Sequence, residues 1–189
     1  MKHLLFSAVA LVGALPAYAS DFTDTIEAFY QNEISQWASN PALIAAITSQ
    51  NQMTGGYDQS QIDALDQAWR AEVGQSTTPT ITPVLENAAS EFLRERVAAY
   101  GGQITEIFIM DSVGLNVAAS DVTSDYWQGD EAKFSETFSN GPSGFHVSEI
   151  ELDESTQRYQ GQVSFTLNDP ATGLPIGAMT VGVDAESLM

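Results

Sequence analysis

A short polar connection between two predicted strands, residues 120–131, carries the residue types best suited to hold a small molecule. Adjacent Tyr126 and Trp127 would supply apolar ring faces and hydrogen-bonding edges, while Asp125 and Asp130 would supply acceptors. Small pockets recognise polar metabolites with such a combination. The alternative is that the two rings only pin the loop to the sheet. We therefore treat Tyr126, Trp127 and Asp130 as candidate ligand-binding residues.

A second candidate surface is the polar side of the predicted strand 157–167, which alternates in hydropathy. Its apolar side carries Tyr159, Val163, Phe165 and Leu167, and its polar side carries Gln160, Gln162, Ser164 and Thr166. If helices cover the apolar side, the polar side faces either solvent or the connection that spans residues 120–142. In the second case it forms the floor of a pocket, so Gln162 and Ser164 join the candidate residues.

The residue types that drive most hydrolytic chemistry are scarce in this chain. It has no cysteine, and His146 is the one histidine outside the first 19 residues. A zinc ion needs several His or Cys ligands, and an activated nucleophile needs a general base within hydrogen-bond reach. A single histidine with no cysteine does not provide the zinc ligands and offers little for a nucleophile and its base. We therefore predict no catalytic residue, no cofactor and no zinc site, and we interpret His146 as a strand-end residue with an ordinary hydrogen bond.

Carboxylates are plentiful, and four oxygen-bearing side chains lie close together in the candidate loop: Asp121, Ser124, Asp125 and Asp130. A calcium loop of the EF-hand type needs ligands at fixed alternate positions, a central glycine and a closing glutamate, and this segment does not fit that pattern. Two facing carboxylates could hydrolyse glycosides, but nothing in the sequence singles out a pair among the 25 acids. The sequence thus predicts no metal site and no enzyme.

Acidity is the dominant feature of the composition. The formal charge is −19, with 25 Asp and Glu against six Lys and Arg. Such a field repels nucleic acid and anionic lipid surfaces over a Debye length, roughly 8 Å in physiological salt. Nucleic-acid binding is therefore excluded as a function. The charge favours solubility or, as the alternative, attraction of cationic ligands.

Residues 1–19 have the order of a cleavable secretory signal peptide. A positive start at Lys2 is followed by an apolar run, Leu4 to Leu15, and by the small-residue site Ala17, Tyr18, Ala19. The apolar run is shorter than the roughly 20 residues of a membrane span. We expect cleavage after the last of these residues, and hence a single mature domain of residues 20–189 that works in the periplasm or outside the cell.

Helical periodicity dominates the first part of the mature chain, residues 20–100. Asn40 followed by Pro41 is typical of a helix start, because Asn caps free amides and Pro tolerates the first helical position. The spacing of apolar residues predicts four helices: 21–37, 42–47, a third that carries Ile62 to Val73 and ends at Gly74, and 82–97.

From residue 103 to residue 185 the period changes to that of short strands separated by turns. We expect a short helix over residues 131–138 and five antiparallel strands: 104–110, 115–119, 146–152, 157–167 and 175–183. Helices first and strands afterwards is the order of an α+β domain, with a long N-terminal helix and further helices packed on the sheet.

Three stretches of this chain resemble the Cache domains, also called PDC sensors, which are PAS-like sensor domains found outside the membrane. They are ITEIFIMDSVGLNVAASD, SDYWQGDEAKF and GLPIGAMTVGVDAESL, preceded by the helical N-terminal part. The resemblance covers most of the mature chain. It implies a PAS-like sheet of five antiparallel strands packed on a long N-terminal helix. It also implies a small-molecule site between the sheet and the loops and short helix after the second strand.

The same resemblance implies positions for the candidate residues. Tyr126 and Trp127 would lie on the lid of the pocket, Asp130 on the following short helix and Asp184 at the end of the last strand. Family members that bind amines use such aromatic residues and an Asp to hold the ammonium group, which a ring face and a carboxylate both attract. The implied ligand is a small metabolite, with cationic or neutral compounds favoured and amines and amino acids among the candidates.

Two departures from the family bear on function. Most members lie between two membrane helices and drive a kinase, a chemoreceptor or a cyclase, and this sequence shows neither flanking segment. Amino-acid-binding members also carry an Arg that clasps the ligand carboxylate, and none of Arg94, Arg96 and Arg158 sits in a matching motif. An amino acid is therefore less favoured than a cationic or neutral ligand.

We expect a single-domain, non-catalytic binding protein of the sensor type, which presents its ligand to a membrane receptor in signal transduction. The alternative is a ligand-free module that docks on a periplasmic sensor or transporter. Family members often dimerise through the N-terminal helix, so the resemblance also implies a homodimer.

Overall fold

The computed structural model describes residues 16–153 and 158–188. The predicted signal peptide, residues 1–19, lies outside this part except for its last four residues, which belong to the first helix. Within the described part, no helix is both long and apolar enough to cross a membrane.

Helices make up most of the chain before residue 100. They are α1 Pro16–Phe29, α2 Ser35–Ala38, α3 Pro41–Thr54, α4 Gln59–Glu72, α5 Ile81–Leu85 and α6 Ala88–Ala99, followed later by α7 Ala132–Ser135 and α8 Ala185–Leu188. A π-helical turn, Tyr30–Ile34, joins α1 to α2, and a 3-10 turn, Phe138–Asn140, follows α7. The N-terminal helical segment thus changes from α-helix to a π-helical turn at Tyr30 and returns to α-helix at Ser35.

Side-chain caps set several of these boundaries. The Asn40 side chain accepts a hydrogen bond from the Ala42 amide at 2.9 Å, which confirms the predicted start of α3, although the helix runs seven residues further than the sequence predicted. The predicted helix 82–97 is wrong as a single element, because Asn87 interrupts it. Its side-chain Nδ2 donates to the Val84 carbonyl in the last turn of α5, and its Oδ1 accepts from the Ser90 amide in the first turn of α6.

The strands form one antiparallel sheet in the order β2-β1-β6-β5-β3. Their bounds are β1 Ile104–Met110, β2 Asn116–Ala119, β3 Phe145–Val147, β4 Glu151–Asp153, β5 Arg158–Asn168 and β6 Pro175–Asp184. Both β3 and β4 pair with β5, so they share one edge of the sheet. The predicted five-stranded α+β architecture is confirmed, with its edge strand divided in two.

Ser148 causes this division of the edge strand. Its Oγ accepts the Gln162 amide at 2.8 Å, and its own amide donates to the Gln162 carbonyl at 2.9 Å. The side chain therefore replaces a backbone acceptor of the ladder, and regular pairing resumes only at Glu151. The single strand predicted over residues 146–152 becomes two strands of three residues.

One face of the sheet packs against α1, α3 and α6 to form the main hydrophobic core. The buried core side chains from helices include Ile26, Leu43, Ile47 and Leu93, and those from strands include Ile107, Ile109, Val163, Phe165 and Val181. The predicted alternation of β5 is confirmed for Val163, Phe165 and Leu167. Tyr159 differs from the prediction and is 51% exposed, because it lies near the strand end and pairs with Leu152 of β4, which is also exposed.

The opposite face of the sheet is apolar at its centre and polar towards β5. Phe134 of α7 packs on Phe108, Met110 and Ala178, and its ring stacks on Phe138 at 5.2 Å. Towards β5, the buried Ser164 and Thr180 hydroxyls bond each other at 3.0 Å. The segment after strand β2 therefore closes the centre of this face and leaves its outer edge open.

Candidate ligand-binding site

An open cleft of about 420 Å³ lies at this outer edge, between α7 and the divided edge strand. We call it the sheet-face cleft. Its lining is Glu131, Ala132, Lys133, His146, Ser148, Glu149, Glu151, Leu152, Gln160 and Gln162. Its volume lies within the range of small-molecule sites, and eight of the ten side chains are polar or charged.

The floor of the sheet-face cleft is the polar side of β5. Gln162 extends across the neighbouring strand, and its Nε2 donates to Glu106 Oε1 at 3.0 Å. This reach depends on Gly182, because an added Cβ there would lie 2.7 Å from Cγ of Glu106. Nε2 of Gln162 is thus already bonded. Its Oε1 accepts no hydrogen bond from the described part of the chain, so it is available to accept one from a ligand.

Lys133 forms the α7 wall of the cleft and is held in place by three groups. Its Nζ lies 2.9 Å from Glu131 Oε2 and 3.2 Å from Gln128 Oε1, and it sits 5.5 Å from the centre of the Phe108 ring. Its side chain is only 18% exposed. Glu131 neutralises the charge of Lys133. The ammonium group can therefore donate a hydrogen bond to a ligand without making the cleft positive.

The outer wall carries two more carboxylates, Glu149 and Glu151. Neither forms an ion pair with a cation in residues 16–153 or 158–188. The cleft therefore has three carboxylates and a single ammonium group among its lining side chains, and its net charge is negative. Such a lining attracts cationic ligands and repels anionic ones.

Two of the sequence-predicted site residues have structural partners below and beside the cleft. Ser164 is fully buried and bonds Thr180. Asp184 accepts the Glu186 and Ser187 amides at 2.9 and 3.0 Å and pairs with Arg158 at 2.7 Å, so it caps α8. Burial by itself would raise the pKa of Asp184, but these amides and the guanidinium outweigh burial and lower the pKa.

The aromatic pair lies beside the start of β2, where Trp127 bridges Leu115, and its backbone is bonded to α4. Asp66 Oδ1 accepts the amides of both Tyr126 and Trp127, at 2.9 and 3.1 Å. The Tyr126 ring stacks on Trp69 with centres 5.1 Å apart and planes 4° apart, and Trp127 Nε1 donates to the Val113 carbonyl at 2.8 Å. For Trp127, this geometry matches the alternative in which the ring pins the loop.

Of the predicted residues, the structure therefore places only Gln162 in the lining of the sheet-face cleft. Asp130 is exposed beside α7, and Tyr126 lines a separate cavity. Sequence reasoning did not single out Lys133, Glu131, Glu149 or Glu151. The available signal was their position, since they lie on the short helix 131–138 and the strand 146–152, the two predicted elements that precede the polar strand 157–167. In the described residues, no group of three or more His, Cys, Asp or Glu side chains could hold a metal ion.

Comparison by sequence finds no matching family model and no matching curated protein. Among solved structures, the sensor domain of the histidine kinase DctB from V. cholerae is similar, with a TM-score of 0.50 at 13% identity over 91% of this chain and 55% of that chain. The isoleucine-bound sensory domain of the Campylobacter jejuni chemoreceptor Tlp3 follows at TM-score 0.41 and 14% identity, over 93% of this chain and 66% of that one.

A third similar structure is the GABA complex of the ligand-binding domain of the Pseudomonas aeruginosa PAO1 amino acid chemoreceptor PctC. Its TM-score is 0.43 at 12% identity, over 82% of this chain and 63% of that chain. The chain thus spans between about half and two thirds of the length of these domains. At this identity, the likeness to the DctB domain concerns the fold alone.

Proposed function

Given that this chain has a sensor fold of the Cache or PDC type, we propose that it is a non-catalytic extracytoplasmic binding protein for a small cationic or neutral metabolite. The observation that carries the proposal is the sheet-face cleft, where an excess of carboxylates meets the amides of Gln160 and Gln162 on the polar side of β5. An amine is the ligand class that this lining fits best.

The cleft offers separate partners to the two ends of such a ligand. Glu149 and Glu151 lie on the outer wall and would face an ammonium group, while Gln162 Oε1 accepts from a hydroxyl or amide. Lys133, already paired with Glu131, adds a donor for a ligand oxygen. An anionic ligand would meet uncompensated carboxylates on the outer wall, so carboxylic acids without an amine are disfavoured.

A thermal-shift screen of the mature domain against amines and neutral metabolites tests this proposal. A true ligand at 100 times its Kd is expected to stabilise the fold by about 2.7 kcal/mol, which raises Tm by about 5 to 10 °C for a domain of this size. Gln162→Leu keeps the side-chain volume but removes the amide, so the shift should fall to less than half. Replacing Glu149 and Glu151 together with Gln should weaken amine ligands selectively.

Gln75→Leu is the matched control, since Gln75 is exposed in the loop after α4 and away from the cleft. It should respond to the ligand like the wild-type protein. If no compound in a broad library raises Tm, the binding proposal is wrong and the alternative of a ligand-free docking module is favoured. A ligand that shifts the Gln162→Leu and wild-type proteins equally places binding outside the cleft.

We also propose the export and assembly of this domain. Residues 1–19 would be removed, and residues 20–189 would present the ligand to a membrane receptor, as a homodimer through the N-terminal helix. N-terminal sequencing of the exported protein is expected to start at Ser20. A start at Met1 in the membrane fraction would instead make the first residues a tether.

A further inference from the structure

A second cavity, of about 440 Å³, lies on the helical side of the molecule between α3, α4, α5 and β2. We call it the helix-side cavity. Its floor is made by the buried side chains of Val84, Val117 and Tyr126, and its rim includes Met53, which is 63% exposed. The sheet separates it from the sheet-face cleft, and only Tyr126 among the predicted site residues lines it.

The Tyr126 side chain is built into this floor with its hydroxyl group unused. The residue is 9% exposed, and its ring is fixed by the stack on Trp69. In the described part of the chain, the hydroxyl neither donates nor accepts a hydrogen bond. The hydroxyl is not one of the fully enclosed polar atoms without a partner, so it reaches the open cavity, where a ligand can replace solvent as its hydrogen-bonding partner.

Burial also keeps this hydroxyl protonated. Removal from water, with a smaller effect from the negative charge of Asp111 and from Tyr57, raises the pKa of Tyr126 to about 12. At any physiological pH the group is therefore a neutral donor. It can donate to a ligand oxygen and accept from a ligand hydroxyl, but it cannot supply a charge.

Gln50 provides a second unused group with a fixed orientation. Its Nε2 donates to Asp111 Oδ2 at 3.0 Å, to the Asn116 carbonyl at 3.2 Å and to the Leu115 carbonyl at 3.5 Å. Because three acceptors surround this atom, it must be the nitrogen of the side-chain amide and not the oxygen. Oε1 is then the opposite end, and no donor from residues 16–153 or 158–188 reaches it.

The twelve lining side chains include no Asp, Glu, Lys, Arg or His. A charged ligand would lose its hydration without gaining a counter-charge, which strongly disfavours binding. We propose that the helix-side cavity is a second binding site, which takes a small uncharged molecule with an apolar body and one hydroxyl or amide group. This site is independent of the proposed function of the sheet-face cleft.

Calorimetry with three matched compounds tests the proposed ligand class on the mature domain. We expect 2-phenylethanol to bind, and phenylacetate and 2-phenylethylamine, which have the same ring but carry a charge, to bind at least tenfold more weakly. Tyr126→Phe keeps the ring stack on Trp69 and removes only the hydroxyl, so it should weaken 2-phenylethanol about tenfold. Met53→Trp at the exposed rim should weaken it by obstruction.

Tyr57→Phe is the control, because Tyr57 packs against the hydrophobic cluster that contains Trp69 and Tyr126 but does not line the cavity. It should bind 2-phenylethanol as the wild-type protein does, and so should Gln162→Leu. The proposal is overturned if 2-phenylethanol does not bind, if either charged compound binds as tightly, or if Tyr126→Phe and Met53→Trp both bind with unchanged affinity. A loss in Gln162→Leu would place the compound in the sheet-face cleft instead.

Discussion

Replacing Asp111 with alanine is expected to lower the free energy of unfolding by about 3 to 5 kcal/mol. Asp111 is fully buried at the turn between β1 and β2. Its Oδ1 accepts the amides of Val113 and Leu115, both at 3.0 Å, and its Oδ2 accepts from Gln50 Nε2 and from Thr54 Oγ1 at 2.7 Å. Alanine would leave the amides of Val113 and Leu115 without an acceptor, and it would remove one of the acceptors of Gln50 Nε2 and of Thr54 Oγ1.

Urea unfolding followed by circular dichroism measures this loss, and Asp130→Ala is the control. Asp130 is exposed and makes no side-chain hydrogen bond in the described chain, so its removal should change stability by less than about 0.5 kcal/mol. Asp111→Asn keeps one acceptor oxygen and should fall between the two. An Asp111→Ala protein as stable as the control would show that the four bonds contribute nothing net.

Trp69→Ala is expected to have the second large effect, a loss of about 3 to 5 kcal/mol. Trp69 is fully buried, its ring stacks on Tyr126, and its Nε1 donates to the Thr123 carbonyl at 2.8 Å. Alanine would remove the largest buried side chain of the hydrophobic cluster that joins Ile62 of α4 and Val84 of α5 to Tyr126. The cavity left behind adds to the lost burial.

The same unfolding experiment measures this variant, with Trp69→Phe as the matched comparison. Phenylalanine keeps a ring against Tyr126 and loses the hydrogen bond to Thr123, so its loss should be clearly smaller than that of alanine. If the two variants are equally destabilised, the hydrogen bond and not the ring packing supports the loop. Trp69→Ala should also abolish binding of 2-phenylethanol, since Tyr126 loses the ring that fixes it.

Local patterns predicted most of the fold because each depended on residues close in sequence. The bounds of β1, the alternation of β5 and the cap at Asn40 all follow from neighbours within a few positions. The errors arose where one polar side chain overrode a continuous apolar pattern. Asn87 split a helix by bonding both of its halves, and Ser148 split a strand by taking the place of a backbone acceptor.

The candidate site was harder to predict, because its geometry depends on contacts distant in sequence. Gln162 could be assigned to the polar side of its strand from alternation alone. The direction of Tyr126 could not, since Asp66, sixty residues earlier, holds the backbone of the loop against α4. Lys133 likewise gains its place in the cleft wall partly from the ring of Phe108 on β1, which no spacing rule connects to it.

The order of strands gives the two edges of the sheet different local stabilities. β6 is paired along its length with β1 and β5, so its amides can exchange with solvent hydrogen only when the sheet separates. β3 and β4 are three-residue strands bonded on one side only, to β5. We therefore expect the amides of β3 and β4 to exchange with solvent hydrogen faster than those of β6, while the core stays intact.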